Sequence, residues 1–368
     1  MFGRTLRSYC SPMVAEAESR AVPERADPRV DQRIDQFDGL RALAFLAVFA
    51  HHALHAPLLW MGVDQFFVLS GFLITRNLLA LRERASLGRA FKVFYFRRLL
   101  RIVPPYYAAI TLVFLINGPI AMGWYYGFAS NVHDALYAVN EGPLNTMWSI
   151  AVEEQFYLVW PWLVLLLPRR WLGPAFALVI AAAPVCRFVF APAGLNAVYR
   201  LTLCRMDLLA FGAVLALIEL RAPTWIARHA RHLLAMAIAA AIVFALISVA
   251  VPTFRTSLNT NLFNLAGFAL SCVFFTGILG YVRGATGGPA LAVLRHPVLR
   301  AIGKVSYMAY LLHMLCIELT HRVIHGRVPG AAVALALTLV GATVSWYLLE
   351  TPIQRLRRLV PARDASGA

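Results

Sequence analysis

Charged and hydroxyl side chains set inside long apolar stretches are costly to keep, which makes them the first candidates for chemistry. An apolar run that opens with Asp38 and Arg41 reaches His51 and His52 near its far end. Arg41 and His52 are 11 residues apart. At roughly 100° per residue the two share one helix face, about 16 Å apart along the axis, too far to touch. His51 is turned from that stripe by about 80° and His55 by about 40°, so His52 is the better-placed imidazole and His55 the second. An imidazole there can do acid–base chemistry. It can equally be a hydrogen-bonding side chain at a membrane interface, and spacing alone does not separate the two.

Other polar groups follow the same pattern. Trp148 and Ser149 begin an apolar run that carries Glu153 and Glu154 one to two turns in. A carboxylate there can orient an imidazole, or it can be an ion-pair partner for Arg200 or Arg205. Arg205 and Asp207 open a later run, and Tyr307, Tyr310 and His313 lie in another. Together with Asp64 and Ser149 these groups are expected to line one polar cavity, although Asp64 also suits a helix N-terminus. Arg98 and Arg101 are three apart and share a helix face, where forked guanidinium groups suit phosphate. Arginines flanking a span for orientation alone are the plainer alternative. The cysteines are scattered, with no pair at metal-ligand spacing, so no metal is expected.

The elements that must hold these residues are membrane helices. The chain has 368 residues, 60% hydrophobic and 14% charged, which is too apolar for a water-soluble domain. Its formal charge of +16 would suggest nucleic-acid binding in a soluble protein. Here the arginines sit in short segments between apolar runs, where they orient the chain and meet anionic headgroups, so no nucleic-acid partner is expected. Runs long enough to span a bilayer predict about ten helices: 40–56, 60–81, 102–122, 147–167, 171–191, 203–220, 232–251, 262–282, 298–319 and 331–349. Arg89, Arg97, Arg98 and Arg101, Arg169 and Arg170, Arg221 and Arg228, Arg283 and Arg295, and Arg355, Arg357 and Arg358 then fall on one side. The segment 123–146 on the other side holds no Lys or Arg but does hold Asp134 and Glu141. The positive-inside rule therefore places both termini in the cytoplasm. Residues 1–37 carry both signs of charge and no signal-peptide pattern, and read as a cytoplasmic tail. Residues 38–352 form the transmembrane domain and 353–368 a second cytoplasmic tail. The fold class is an all-α integral membrane bundle.

Six motifs in order, FDGLRALAFLAVFAHH, GVDQFFVLSGFLIT, FRRLLRIVPPYY, MWSIAVEEQFYLVWP, RMDLLAFGAVLA and SYMAYLLHM, resemble the membrane-bound acyltransferase-3 family. The likeness runs from Phe37 to Pro352. It implies a multi-pass enzyme of the bacterial inner membrane that moves acyl groups, mostly acetyl from acetyl-CoA, onto a carbohydrate acceptor, free or lipid-linked. By the same resemblance Arg41 and His52 are essential, Arg98 and Arg101 face the acyl-CoA, and Glu153 is the glutamate of the tryptophan-serine motif. Gln65, Met147, Met206 and Met308 depart from the usual pattern without touching the proposed chemistry. Some members carry an appended extracytoplasmic hydrolase-like domain. With this chain ending at Ala368, the expectation is that a polymer acceptor is reached directly, through a lipid-linked precursor, or by an extracytoplasmic transfer partner.

The expected mechanism anchors the CoA phosphates at Arg98 and Arg101 and brings the thioester to His52, with Glu153 orienting the imidazole and Arg41 guiding the donor arm. The alternative is a transporter or flippase of lipid-linked sugars that uses the same His, Glu and Arg as a proton or ligand relay. The aromatic residues Trp124, Tyr125, Tyr126, Phe128 and Tyr137 are expected to anchor at the interface or to stack on a sugar.

Overall fold

Apolar stretches of this length have one favourable conformation in lipid, because a helix satisfies every backbone polar group within itself. The computed structural model describes residues 34–118, 121–137, 142–256 and 259–362, and every regular element among them is helical. Ten long helices follow in order. They are α1 (Asp35–Leu54), α2 (Gly62–Arg84), α3 (Leu87–Asn117), α4 (Met147–Leu166), α5 (Arg169–Phe190), α6 (Thr202–Arg221), α7 (Trp225–Ala250), α8 (Phe268–Gly284), α9 (Pro297–His321) and α10 (Arg327–Ser345). Each expected span falls on one of them. Eight are long and apolar enough to cross a membrane. The other two, α2 and α4, carry Asp64, Gln65, Arg76, Glu153 and Glu154, which lower their apolarity.

The first helix starts at Asp35, inside the expected tail, with Asp35 and Asp38 in its first turn where acidic groups complement the helix dipole. Residues 1–33, Cys10 among them, and Glu141 lie outside the described residues.

Helices α1, α2, α4, α6 and α9 pack on one another and bury Asp38, Asp64, Ser149, Arg205, Asp207 and His313 among them. Close approach of α2 and α6 depends on two glycines. A methyl added at Gly71 would overlap the Leu209 carbonyl, and one at Gly212 would overlap that of Val68. Buried ion pairs reinforce the same contact: Asp64 of α2 accepts from Arg205 of α6, and from Ser271 of α8 at 2.5 Å. Helices α5, α7 and α10 bury only 17%, 22% and 17% of their apolar windows. Leu178, Val249 and Val340 stand exposed on them. In water such apolar faces would drive aggregation; a bilayer covers them.

The segment between α3 and α4 contains two short helices, Met122–Tyr126 and Ser130–Tyr137. Its aromatic rings mostly pack against α3. The Phe128 ring lies 4.4 Å from that of Tyr106, and the hydroxyls of Tyr106 and Tyr107 donate to the carbonyls of Tyr125 and Tyr126. Trp124 and Tyr137 instead face His133. Asp134 pairs with Arg200, which also donates to Asn145 at 2.8 Å.

Candidate active site

A cavity of about 250 Å³ opens where α1, α2, α3, α4 and α9 converge. Arg41, Arg98 and Arg101 line it from one side, and Ser149 and Tyr310 from another, with Ser70, Glu153, Glu154 and Tyr157 between. The three-residue spacing of Arg98 and Arg101 sends both into the same space, as one helix face must. Arg98 lies 5.5 Å from the Tyr157 ring and 5.9 Å from that of Phe94, contacts that hold a guanidinium by cation–π attraction. Arg41 is tied by a 3.5 Å ion pair to Asp38 one turn back.

Glu153 is held by two hydroxyls. Ser70 donates to one carboxylate oxygen at 3.0 Å and Tyr157 to the other at 2.7 Å. The ion pair with Arg200 or Arg205 weighed from sequence does not form, because those arginines are taken by Asp134 and Asp64. Spacing could have found Tyr157, four residues after Glu153 and so on its face. Nothing in the sequence joins Ser70 to it.

His52 does not line this cavity. It opens instead, with His51, His55 and Asn145, onto a second and more open pocket of about 410 Å³. A buried chain of contacts links the two. The Ser149 and Tyr310 hydroxyls are 2.7 Å apart, and His313 Nδ1 donates to the Tyr310 carbonyl at 2.6 Å. Because a carbonyl only accepts, Nδ1 carries a proton, while Nε2 is buried without a hydrogen-bond partner. The His313 ring lies 5.4 Å from that of His52, and the His52 ring 5.0 Å from that of His51. His313, rather than Glu153, is thus the polar ring beside His52.

The remaining candidates lie elsewhere. Asp64 and Arg205 are fully buried in their ion pair and line neither cavity. Asp207 pairs at 2.7 Å with Arg187, a residue the sequence reading passed over, which also donates to the carbonyls of Asn264 and Cys204. The expectation of a single polar cavity is corrected: Asp64, Arg205 and Asp207 tie helices together, Ser149 and Tyr310 line the first cavity, and His313 is buried beside the His52 ring. Among the described residues no group of His, Cys, Asp or Glu has the arrangement of a metal site.

Comparison with known proteins gives these positions a context. The family model of the acyltransferase-3 group, described as an acyltransferase domain, matches residues 34–350. A peptidoglycan O-acetyltransferase, OatA, of Listeria monocytogenes is 31% identical over 88% of the chain and 56% of its own length. A putative O-acetyltransferase of Staphylococcus aureus strain COL is 28% identical over 88% and 57%, and the O-acetyltransferase OatA of strain NCTC 8325 is 28% identical over 86% and 57%. The chain therefore spans just over half the length of these relatives. No solved structure gives a significant match. The transporter alternative finds no support among these relatives.

Proposed function

The chain belongs to the acyltransferase-3 family and is a membrane-embedded acyltransferase, and from that premise we propose that it moves acetyl from acetyl-CoA to a hydroxyl of a carbohydrate. The observation that carries this reading is the pairing of two cavities. One has guanidinium groups at Arg98 and Arg101, suited to the phosphates of a CoA donor. The other has His52 beside the His313 ring and is open enough to admit a polar acceptor.

In the proposed reaction His52 takes the proton of the acceptor hydroxyl as its oxygen bonds to the thioester carbonyl carbon. The C–S bond then breaks, CoA leaves as thiolate, and the thiolate takes up the proton held on His52. A transient acyl-histidine is the covalent variant of the same residue's role. Glu153, fixed by Ser70 and Tyr157, lines the donor cavity together with Arg98 and Arg41. Arg41 guides the donor arm.

The reading also places both termini in the cytoplasm, in a bacterial inner membrane, with all ten long helices crossing, and the arginines between the apolar runs support that orientation. The acceptor is a glycan or glycolipid, reached directly or through an extracytoplasmic transfer partner. Support for a glycan comes from the relative named as acting on peptidoglycan. The test is mass spectrometry of surface and secreted glycans from a deletion strain complemented with wild type or with His52→Ala. Loss of an acetyl mass in the deletion, restored by wild type alone, bears the proposal out. Restoration by His52→Ala, with the variant inserted normally, removes His52 from the mechanism.

A further inference from the structure

Beyond α10 the chain stays helical through the π-helical segment Trp346–Glu350 and the short helices Thr351–Arg355 and Leu356–Leu359, which pack on α3. This end is clamped. Arg89 donates two hydrogen bonds to the Pro361 carbonyl, at 3.2 and 3.0 Å, and Val360 and Ala362 rest against the core. The clamp brings Arg357 toward Arg97, Arg98 and Arg101. Among the described residues, Arg101, Arg98 and Arg97 are the charged groups that act on Arg357. The Nε atoms of Arg97 and Arg357 are both buried without an acceptor. Glu350, itself buried with one oxygen unpartnered, faces Arg101 from the π-helical segment.

An arginine placed only to orient a span has no reason to crowd others, since a long side chain lowers repulsion by swinging into water. Here packing brings Arg357 in among like charges, leaving donors without acceptors. Such an arrangement suits a ligand carrying several phosphates, where each guanidinium meets its own oxygen pair. We propose that Arg97 and Arg357 join Arg98 and Arg101 in a four-guanidinium seat for the phosphate-bearing nucleotide head of the acyl donor, so that the segment after the last long helix is part of the donor site. The proposal rests on the acetyl-CoA reading above. Phosphate is also the chemistry of an anionic lipid headgroup, and the experiment separates the two sources.

The protein is purified in neutral detergent, and binding of radiolabelled acetyl-CoA is measured for wild type, Arg357→Gln, Arg357→Lys, Arg97→Gln and the exposed neighbour Arg358→Gln, with folding checked by gel filtration. Arg357→Gln is expected to bind about tenfold more weakly, the size of one charge-assisted hydrogen bond. Arg97→Gln weakens binding too, Arg357→Lys recovers part of it, and Arg358→Gln matches wild type. Wild type also prefers CoA over 3′-dephospho-CoA more strongly than Arg357→Gln does. A folded Arg357→Gln that binds acetyl-CoA as wild type does overturns the proposal. So does a deficit that appears only when phosphatidylglycerol is added, which marks a headgroup site. If wild type binds no acetyl-CoA at all, the donor reading itself fails and this inference falls with it.

Discussion

At Glu153 two hydroxyls from different helices converge on one carboxylate. Glu153→Gln replaces one accepting oxygen with an NH2 that faces a donor, so either Ser70 or Tyr157 loses its partner. The expected cost is on the order of 1–3 kcal/mol, read as a lower unfolding temperature in detergent, together with reduced transfer. An unchanged unfolding temperature would show that the two hydroxyls find other acceptors. His313 is tested differently. His313→Phe keeps a ring against Phe45 and Phe49 but removes both nitrogens. If the imidazole takes part in proton movement beside His52, acetyl transfer falls by about a hundredfold or more; full activity would leave His313 a packing residue. The sequence made His52 stand out from His51 by rotation about a single helix. It did not reveal that His313, far away in the chain, is its neighbour, because periodicity reports which residues share a face and not which faces meet.

On the level of elements, α2 and α6 are joined by glycines and by ions. Gly212→Val would push the helices apart against the Val68 backbone, at a cost of roughly 1–3 kcal/mol. Arg205→Met leaves Asp64 charged, buried and short of its main partner, and costs about 3–5 kcal/mol. Adding Asp64→Leu to it should recover much of that loss, since two apolar residues in place of a buried pair are often tolerated. Thermal unfolding of the two single variants and the pair checks this; a double variant as weak as Arg205→Met would mean that Ser271 and Asp64 matter for more than the pair. The positions of all ten long helices were legible from apolar runs, but α3 begins at Leu87, well before the expected 102, because its first turns are an arginine-rich stretch that an apolar scan leaves out. The ion-pair partners were not. Asp64, Arg205 and Asp207 looked like site residues because an intramembrane charge signals function or structure with the same cost, and only its partner tells which.

For the whole molecule, the distribution of arginines predicts that a green fluorescent protein fused after Ala368 folds in the cytoplasm and fluoresces; a dark but inserted fusion would overturn the orientation. The two cavities also bear on how the protein sits in a working membrane. Between them stand Ser149 and Tyr310, whose hydroxyls are 2.7 Å apart, and the His313 ring beside that of His52. A cell that stores energy as a proton gradient loses it through any continuous file of water. On the acyl-transfer reading, any such file would have to pass the Ser149–Tyr310 hydroxyl pair and the His313 ring behind it.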